Sequence, residues 1–150
     1  MKISSKEEFE KLNVFGTGTA NTAYAKYFIG DSFLNPLTKA EDGLFLANVT
    51  FEPGCRNNWH IHHAKKGGGQ LLICTAGEGW YQEYGKAAVS LVPGTVIVIP
   101  EGVKHWHGAK KDSWFSHMKC PARNVQTNGV NRFRTKNTMH CNLNKGGSHL

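Results

Sequence analysis

The chain has 150 residues, 17 of them glycine, and only 19% of its residues are charged; this composition predicts one domain of short strands and tight turns. Its formal net charge is +7, but six positive charges follow Asp112 with no acid among them, so the preceding body is near neutral and we expect no nucleic-acid partner. The chain contains no run of about 18 apolar residues, so we also expect no membrane span.

The amino-terminal segment, residues 1–22, predicts a short helix followed by a loop. Ser4 or Ser5 is followed three residues later by Glu7 or Glu8, a spacing typical of a capping box. We therefore expect a helix over Ser5 to Leu12. Residues 13–22 are rich in Gly, Thr and Asn and indicate a loop.

Residues 23–117 predict a barrel of short antiparallel strands. The segment from Ala23 to Ile29 alternates enough for a strand, whereas residues 30–42, which contain Asn35-Pro36, indicate irregular structure. Further strands are predicted at Leu44–Phe51, Asn58–His62, Gln70–Ala76, Gly79–Tyr84, Ala88–Leu91, Thr95–Ile99, His105–Gly108 and Ser113–Met118. Short strands separated by turn residues at this spacing are typical of an all-β, antiparallel double-sheet barrel.

Two histidine-containing segments predict a metal site. His60 and His62 are two residues apart, so in an extended segment both imidazoles project from one face. Gln70 opens the next apolar run and can bring an amide oxygen to the same face, and we expect His105 to be the fourth ligand. Three imidazoles and one amide oxygen suit one divalent cation of manganese, iron, cobalt, nickel or zinc, and ligand type alone does not choose among them.

The first of these segments resembles the first sequence motif of the cupin family. That motif is G-x5-H-x-H-x3or4-E-x6-G, and Gly54, His60, His62 and Gly77 fall on it. Gln70 takes the place of the acidic ligand, after a turn that is longer than usual. The segment therefore implies a cupin metal site with one negative charge fewer among its ligands.

The second segment resembles the second cupin motif, G-x5-P-x-G-x2-H-x3-N. It matches at Gly94, Pro100, Gly102 and His105, with Ala109 where Asn is usual. Together the motifs imply a cupin fold, which is a jelly-roll-like double-stranded β-helix, with a short amino-terminal helix added.

Within the family, W-H-x-H, a later Gln and K-H-W-H-G-A are most similar to the small manganese cupins with hydroxynitrile lyase activity. The resemblance implies a manganese-dependent lyase that acts on a small molecule. Two alternatives stay open, because cupins host many chemistries. One is an iron- or manganese-dependent dioxygenase, and the other is a non-enzymatic, metal-dependent binder of a small metabolite.

Two further histidines are candidates for proton transfer. His107 shares the strand parity of His105, so we expect it in the same cavity, either orienting a ligand or acting as a general acid or base. His117 lies on the predicted closing strand, where the resemblance to lyase-type cupins implies a histidine near the metal. A free imidazole titrates near neutral pH, which suits this role.

Residues 118–150 form an atypical basic tail without hydrophobic periodicity and without acids. Codons for Pro121 to Met139, read from one base upstream, permit an acidic string that resembles the usual carboxy terminus of this cupin subfamily. We therefore interpret the tail as a frameshift product or a sequencing error. The alternative is a disordered basic extension.

The cysteines and the start of the chain predict a location. Cys55, Cys74, Cys120 and Cys141 show no C-x-x-C spacing, so we expect thiols in a reducing compartment. The first residues show no apolar core of a signal peptide. We therefore expect a cytoplasmic protein.

The predicted strand Ala23–Ile29 also suggests an assembly. It is apolar and aromatic with one charge, so an exposed edge of this kind would be prone to aggregation. We expect a homodimer, or a higher even oligomer, in which this strand contacts a neighbouring subunit. The alternative is that the amino-terminal helix covers it within one chain.

Overall fold

A computed structural model describes residues 1–39, 41, 45–64, 69–121 and 125–129. In chain order the described elements are α1 (Lys6–Leu12), β1 (Thr19–Ala20), a 3-10 helix (Thr22–Tyr27), β2 (Phe28–Ile29), β3 (Ser32–Pro36), β4 (Ala47–Phe51), β5 (Arg56–Asn57), β6 (His60–Ala64), β7 (Gly69–Gly77), β8 (Gly79–Glu83), β9 (Val89–Leu91), β10 (Val96–Pro100), β11 (Lys104–Ala109), β12 (Phe115–Pro121) and β13 (Val125–Gly129). The all-β class predicted from the sequence is confirmed.

The strands form two antiparallel sheets. One sheet has the order β1-β3-β4-β12-β7-β10; the other runs β13-β6-β11-β5-β2, with β8 paired to β11 and β9 paired to β8. The apolar core draws residues from both sheets, among them Val49, Phe51, Leu72, Cys74, Tyr81, Leu91, Ile99 and Phe115. This double sheet is the predicted cupin architecture.

The predicted amino-terminal helix is confirmed as α1, and of the two candidate caps the helix uses Ser5. Ser5 Oγ accepts a hydrogen bond from the backbone N–H of Glu8 at 3.4 Å, which satisfies one of the unpaired donors of the first turn. Phe9 is fully buried and stacks on Trp114 with 5.5 Å between ring centroids. Ile3 and Ala76 complete this second apolar cluster, which holds the helix against the body.

One glycine of the first motif is required by the backbone. Gly77 has a φ of +69°, and a Cβ at this position would lie 1.8 Å from the carbonyl oxygen of Trp114. A side chain is therefore excluded both by conformation and by space. The glycine allows β7 to turn into β8 directly beside β12.

Two predictions about the amino-terminal half are wrong. Residues Thr22–Tyr27 form a 3-10 helix, and only Phe28–Ile29 of the predicted strand Ala23–Ile29 is extended. Tyr24 and Tyr27 are three residues apart, which puts them on one side of a 3-10 helix, so the aromatic pattern fits a helical turn as well as a strand. Segment 30–42 was expected to be irregular, but Ser32–Pro36 form β3, which pairs with β4.

The carboxy-terminal part of the described chain is extended. Strand β12 crosses position 118, where the atypical tail was predicted to begin, and β13 pairs with β6. Residues 130–150 lie outside the described residues, so the frameshift interpretation stays a prediction. Cys55 and Cys74 are buried free thiols, and Cys141 lies outside the described residues. Among the described helices, none is long and apolar enough to cross a membrane.

Candidate metal centre

Three of the predicted ligands come together on two neighbouring strands. His60 and His62 lie on β6, and His105 on β11 is the direct cross-strand partner of His60. The ring centroids of His60 and His105 are 4.2 Å apart, those of His60 and His62 4.9 Å, and those of His62 and His105 5.3 Å. One nitrogen from each ring lies within 4.8 Å of the others. These three histidines could therefore hold a metal ion.

Gln70 reaches the same cluster from the opposite sheet. It lies on β7, it is 4% exposed, and its Oε1 is 2.8 Å from His62 Nε2. Two ligand atoms that bind one ion at right angles, each at about 2.1 Å, are about 3 Å apart. The observed separation is therefore compatible with a shared ion, and the structure brings all four predicted ligands together.

The hydrogen bonds of two histidines leave Nε2 available for a metal. His60 Nδ1 lies 2.8 Å from the carbonyl oxygen of Asn58, and His105 Nδ1 lies 2.9 Å from that of Val103. A carbonyl only accepts, so each Nδ1 donates its proton and each Nε2 keeps its lone pair. In the described structure the Nε2 of His105 is buried without a hydrogen-bond partner. Buried polar atoms normally have a partner, and a metal ion would be a partner for the lone pair of this nitrogen. This set of ligand atoms therefore fits a divalent transition metal.

Burial keeps these imidazoles in the neutral form that binds metals. It is the main cause that lowers the pKa of His60 to about 3, with His105 adding to the effect, and that of His62 to about 2. Burial also lowers the pKa of His105. Within the described part of the chain, no Asp or Glu belongs to the cluster. A divalent ion bound there would keep its full positive charge and would favour an anionic or deprotonated ligand.

A cavity of about 150 Å³ lies between the sheets beside this cluster. Its apolar lining consists of Tyr24, Phe28, Leu34, Phe45, Val49 and Phe51, and its polar lining consists of Asn21, Asn57, Gln70, His107, His117 and Lys119. A protein cavity of roughly 150 Å³ is large enough to hold benzene. The site therefore suits a small molecule with an apolar body and a polar end.

Both predicted proton-transfer histidines line this cavity. His107 lies on β11 and His117 on β12 of the facing sheet, and their rings meet edge to face with 4.7 Å between centroids. Their side chains are 3% and 1% exposed. Burial lowers the pKa of His117 to about 4 and that of His107 well below its usual value, so both rings are neutral at pH 7.

Sequence reasoning missed the polar cavity residues Asn21, Asn57 and Lys119 and the aromatic residues Tyr24, Phe28 and Phe51. Asn57 Oδ1 accepts a hydrogen bond from the backbone N–H of His107 at 2.9 Å, and its Nδ2 lies 3.0 Å from His107 Nε2. The pairing of β5 with β11 brings these residues together. That pairing spans about half of the barrel sequence, so no local signal could have found it.

No family model matches the chain. The (R)-mandelonitrile lyase of Granulicella tundricola is 39% identical to it over 110 residues, which cover 72% of this chain and 81% of that protein. Among solved structures, a cupin-like protein from Thermotoga maritima shares 39% identity and has a TM-score of 0.63, with 72% of this chain and 79% of that chain covered.

Two more distant solved structures share the fold alone. A cupin-2 domain protein from Rhodospirillum rubrum is 16% identical with a TM-score of 0.57, covering 73% of this chain and 69% of that chain. A predicted oxalate decarboxylase from Thermotoga maritima is 18% identical with the same TM-score of 0.57, covering 80% of this chain and 96% of that chain.

Proposed function

This chain belongs to the cupin family, and from that premise we propose that it is a metal-dependent lyase that cleaves a small hydroxynitrile into a carbonyl compound and cyanide. The substrate class rests on the relative named (R)-mandelonitrile lyase. The size of the cavity and its apolar lining agree with a substrate that carries one small apolar group.

The proposal rests on one ring nitrogen of His117. His117 Nδ1 lies 3.2 Å from the carbonyl oxygen of Met118, so Nδ1 holds the proton and Nε2 keeps the lone pair. Within the described residues, Nε2 is buried without a hydrogen-bond partner, although the residue lines the cavity. A general base needs such a lone pair within reach of the substrate, and we assign this role to His117.

The reaction balances with one proton acceptor. His117 Nε2 takes the proton of the substrate hydroxyl, the carbon–oxygen double bond forms, and the carbon–carbon bond to the nitrile breaks. The electron pair of the broken carbon–carbon bond leaves with cyanide. The imidazolium of His117 then returns the proton, which gives hydrogen cyanide and restores the neutral base. No oxidant or reductant is consumed.

The other residues of the site bind, orient and exclude water. Held by His60, His62, Gln70 and His105, a divalent metal, with manganese as our proposal, would supply Lewis-acid stabilisation of a substrate oxygen. Phe51 packs its ring 5.6 Å from that of His117 and 5.9 Å from that of His107. This buried ring keeps both imidazoles in place and keeps water away from them.

Incubation of manganese-loaded protein with each enantiomer of mandelonitrile tests the proposal. We expect benzaldehyde to be released faster than in buffer, with one enantiomer preferred, and the activity to be lost when a chelator removes the metal. If the loaded protein binds the nitrile but releases no benzaldehyde, the chain is a metal-dependent binder and not a lyase.

We propose the reducing cytoplasm as the cellular location of the protein, in keeping with buried thiols at Cys55 and Cys74.

A further inference from the structure

Asn57 contacts His107 at two points, and together these contacts determine how its amide is oriented. The backbone N–H of His107 donates to Asn57 Oδ1 at 2.9 Å. Only the oxygen of the amide can accept that proton, so the nitrogen end must face the imidazole. Asn57 Nδ2 lies 3.0 Å from His107 Nε2 and 3.4 Å from His107 Nδ1. Since Nδ2 can only donate, the shorter contact makes Nε2 an acceptor without a proton.

We propose that Asn57 is a positioning residue that holds His107 in the tautomer with its proton on Nδ1. The lone pair of Nε2 is then engaged by Asn57, so His107 can offer a bound molecule only an N–H donor. This inference rests on the proposed function, where it divides the work between two histidines. His117 acts as the proton acceptor, and His107 donates a hydrogen bond to the substrate.

The backbone around Asn57 makes this contact rigid. Arg56 pairs with Gly108 of β11, and Asn57 itself pairs with Phe28 of β2. A Cβ on Gly108 would lie 2.5 Å from the Cα of Arg56, so only a glycine lets β5 approach β11 this closely. The side chain of Asn57 is 7% exposed. Its amide is therefore held between two strands, with little freedom to rotate away from the imidazole.

A purely structural role would require only the hydrogen bond that the backbone N–H of His107 donates to Asn57 Oδ1. The two roles differ in their predictions about which ring nitrogen of His107 carries the proton when Asn57 is replaced. If Asn57 only satisfied the backbone, its loss would lower stability and leave the His107 tautomer as it is. If Asn57 sets the tautomer, removal of Nδ2 changes the protonation of the ring nitrogens even when the fold is intact.

Nitrogen NMR of the histidine rings in zinc-loaded protein tests this, because zinc is diamagnetic and binds imidazole nitrogen and oxygen ligands. In the wild type we expect His107 to show a protonated Nδ1 and an unprotonated Nε2. In Asn57→Ser, which lacks the amide donor, we expect a mixture of both tautomers. In Asn57→Asp, whose carboxylate only accepts, we expect a proton on Nε2.

The matched control is Asn48→Ser. Asn48 is a fully buried asparagine whose amide donates to Asn13 Oδ1 and to the carbonyl oxygen of Gly16. Its loss should cost stability without changing the His107 spectrum. A proton on Nε2 in the wild type, or an unchanged Nδ1–H tautomer in Asn57→Ser, overturns the proposal. The spectrum is recorded without turnover, so it can fail or hold independently of the lyase assay.

Discussion

His62 and Gln70 lie on strands of opposite sheets, yet His62 Nε2 and Gln70 Oε1 are 2.8 Å apart. A metal ion bound to both would connect the two sheets directly. Binding that is specific to the folded state stabilises it by mass action. The centre should therefore contribute to the stability of the fold as well as to its chemistry.

We predict that a saturating divalent metal raises the free energy of unfolding, by about 2.7 kcal/mol at a concentration of a hundred times its Kd. Gln70→Ala should weaken this effect, because the variant loses the ligand from the second sheet. Urea unfolding with and without manganese measures the increment. An equal increment in wild type and variant would show that Gln70 does not bind the ion.

Removal of a single imidazole should empty the centre. His60→Ala or His105→Ala deletes one of three strong nitrogen ligands, so elemental analysis should find a sharp fall in metal per chain. The control is His63→Ala, because His63 lies next to His62 on β6 but is exposed. Full occupancy in both ligand variants would refute the assignment of the site.

The metal-free protein should lose stability in mild acid. The pKa values of His60, His62 and His117 fall from 6.5 to about 3, 2 and 4, mainly through burial, so below pH 6.5 the unfolded chain binds more protons than the folded one. Stability is then complete above about pH 6.5 and falls below it, by about 1.4 kcal/mol per pH unit for each such histidine. Urea unfolding at pH 7.5 and 5.5, with a chelator present to remove metal, measures the fall in stability. Equal stability at the two pH values would contradict the burial of these histidines in the neutral form.

The homodimer stays a proposal, but its predicted contact cannot be a strand over Ala23–Ile29, since most of that segment is a 3-10 helix. Another surface offers a better contact. Five half-buried or exposed apolar residues lie side by side on the outer face of three adjacent strands: Leu71, Ile73, Val96, Val98 and Met118. Strand β10 ends its sheet, and no described strand pairs with its outer edge. Apolar faces and open edges of this kind are usually covered by a partner.

We therefore propose that two chains associate through this face, and we predict that Val98→Lys weakens the dimer. Val98 is 74% exposed, so the lysine costs little in a single chain but would be buried between two. The control is Val89→Lys on β9, where the side chain is 47% exposed on the other sheet. Light scattering at micromolar concentration gives the mass. A monomeric wild type rejects the proposal, and an unaltered dimer in Val98→Lys rejects this face.

Local patterns were sufficient for much of the fold. The capping-box spacing of serine and glutamate predicted α1, and the apolar run that Gln70 opens predicted β7. The segment around Tyr24 was wrongly predicted as a strand, because the spacing of its aromatic residues suits both a strand and a 3-10 helix. Strand β3 was missed because Asn35-Pro36 signals a turn, whereas Pro36 is only the last residue of a strand that β4 stabilises by pairing.

The sequence predicted those parts of the site in which the residues lie close together along the chain. His60 and His62 share a face because they are two apart on one strand, and His105 and His107 do so for the same reason. The contact between Asn57 and His107 depends instead on the pairing of β5 with β11. The orientation of His117 depends on the ladder between β12 and β7, which shifts register between Ser116 and His117. Neither relationship is encoded in neighbouring residues.

Cyanide release from mandelonitrile under strict anaerobiosis tests the central claim most directly. The measurement compares manganese-loaded wild type with His117→Ala of equal metal content, in air and without oxygen. We predict equal wild-type rates in both atmospheres, because the lyase reaction consumes no oxidant, and a fall of about a hundredfold or more in His117→Ala through loss of the general base. A wild-type activity that needs oxygen would identify an oxygenase, and an unimpaired His117→Ala would remove the proposed base; either result contradicts the lyase mechanism.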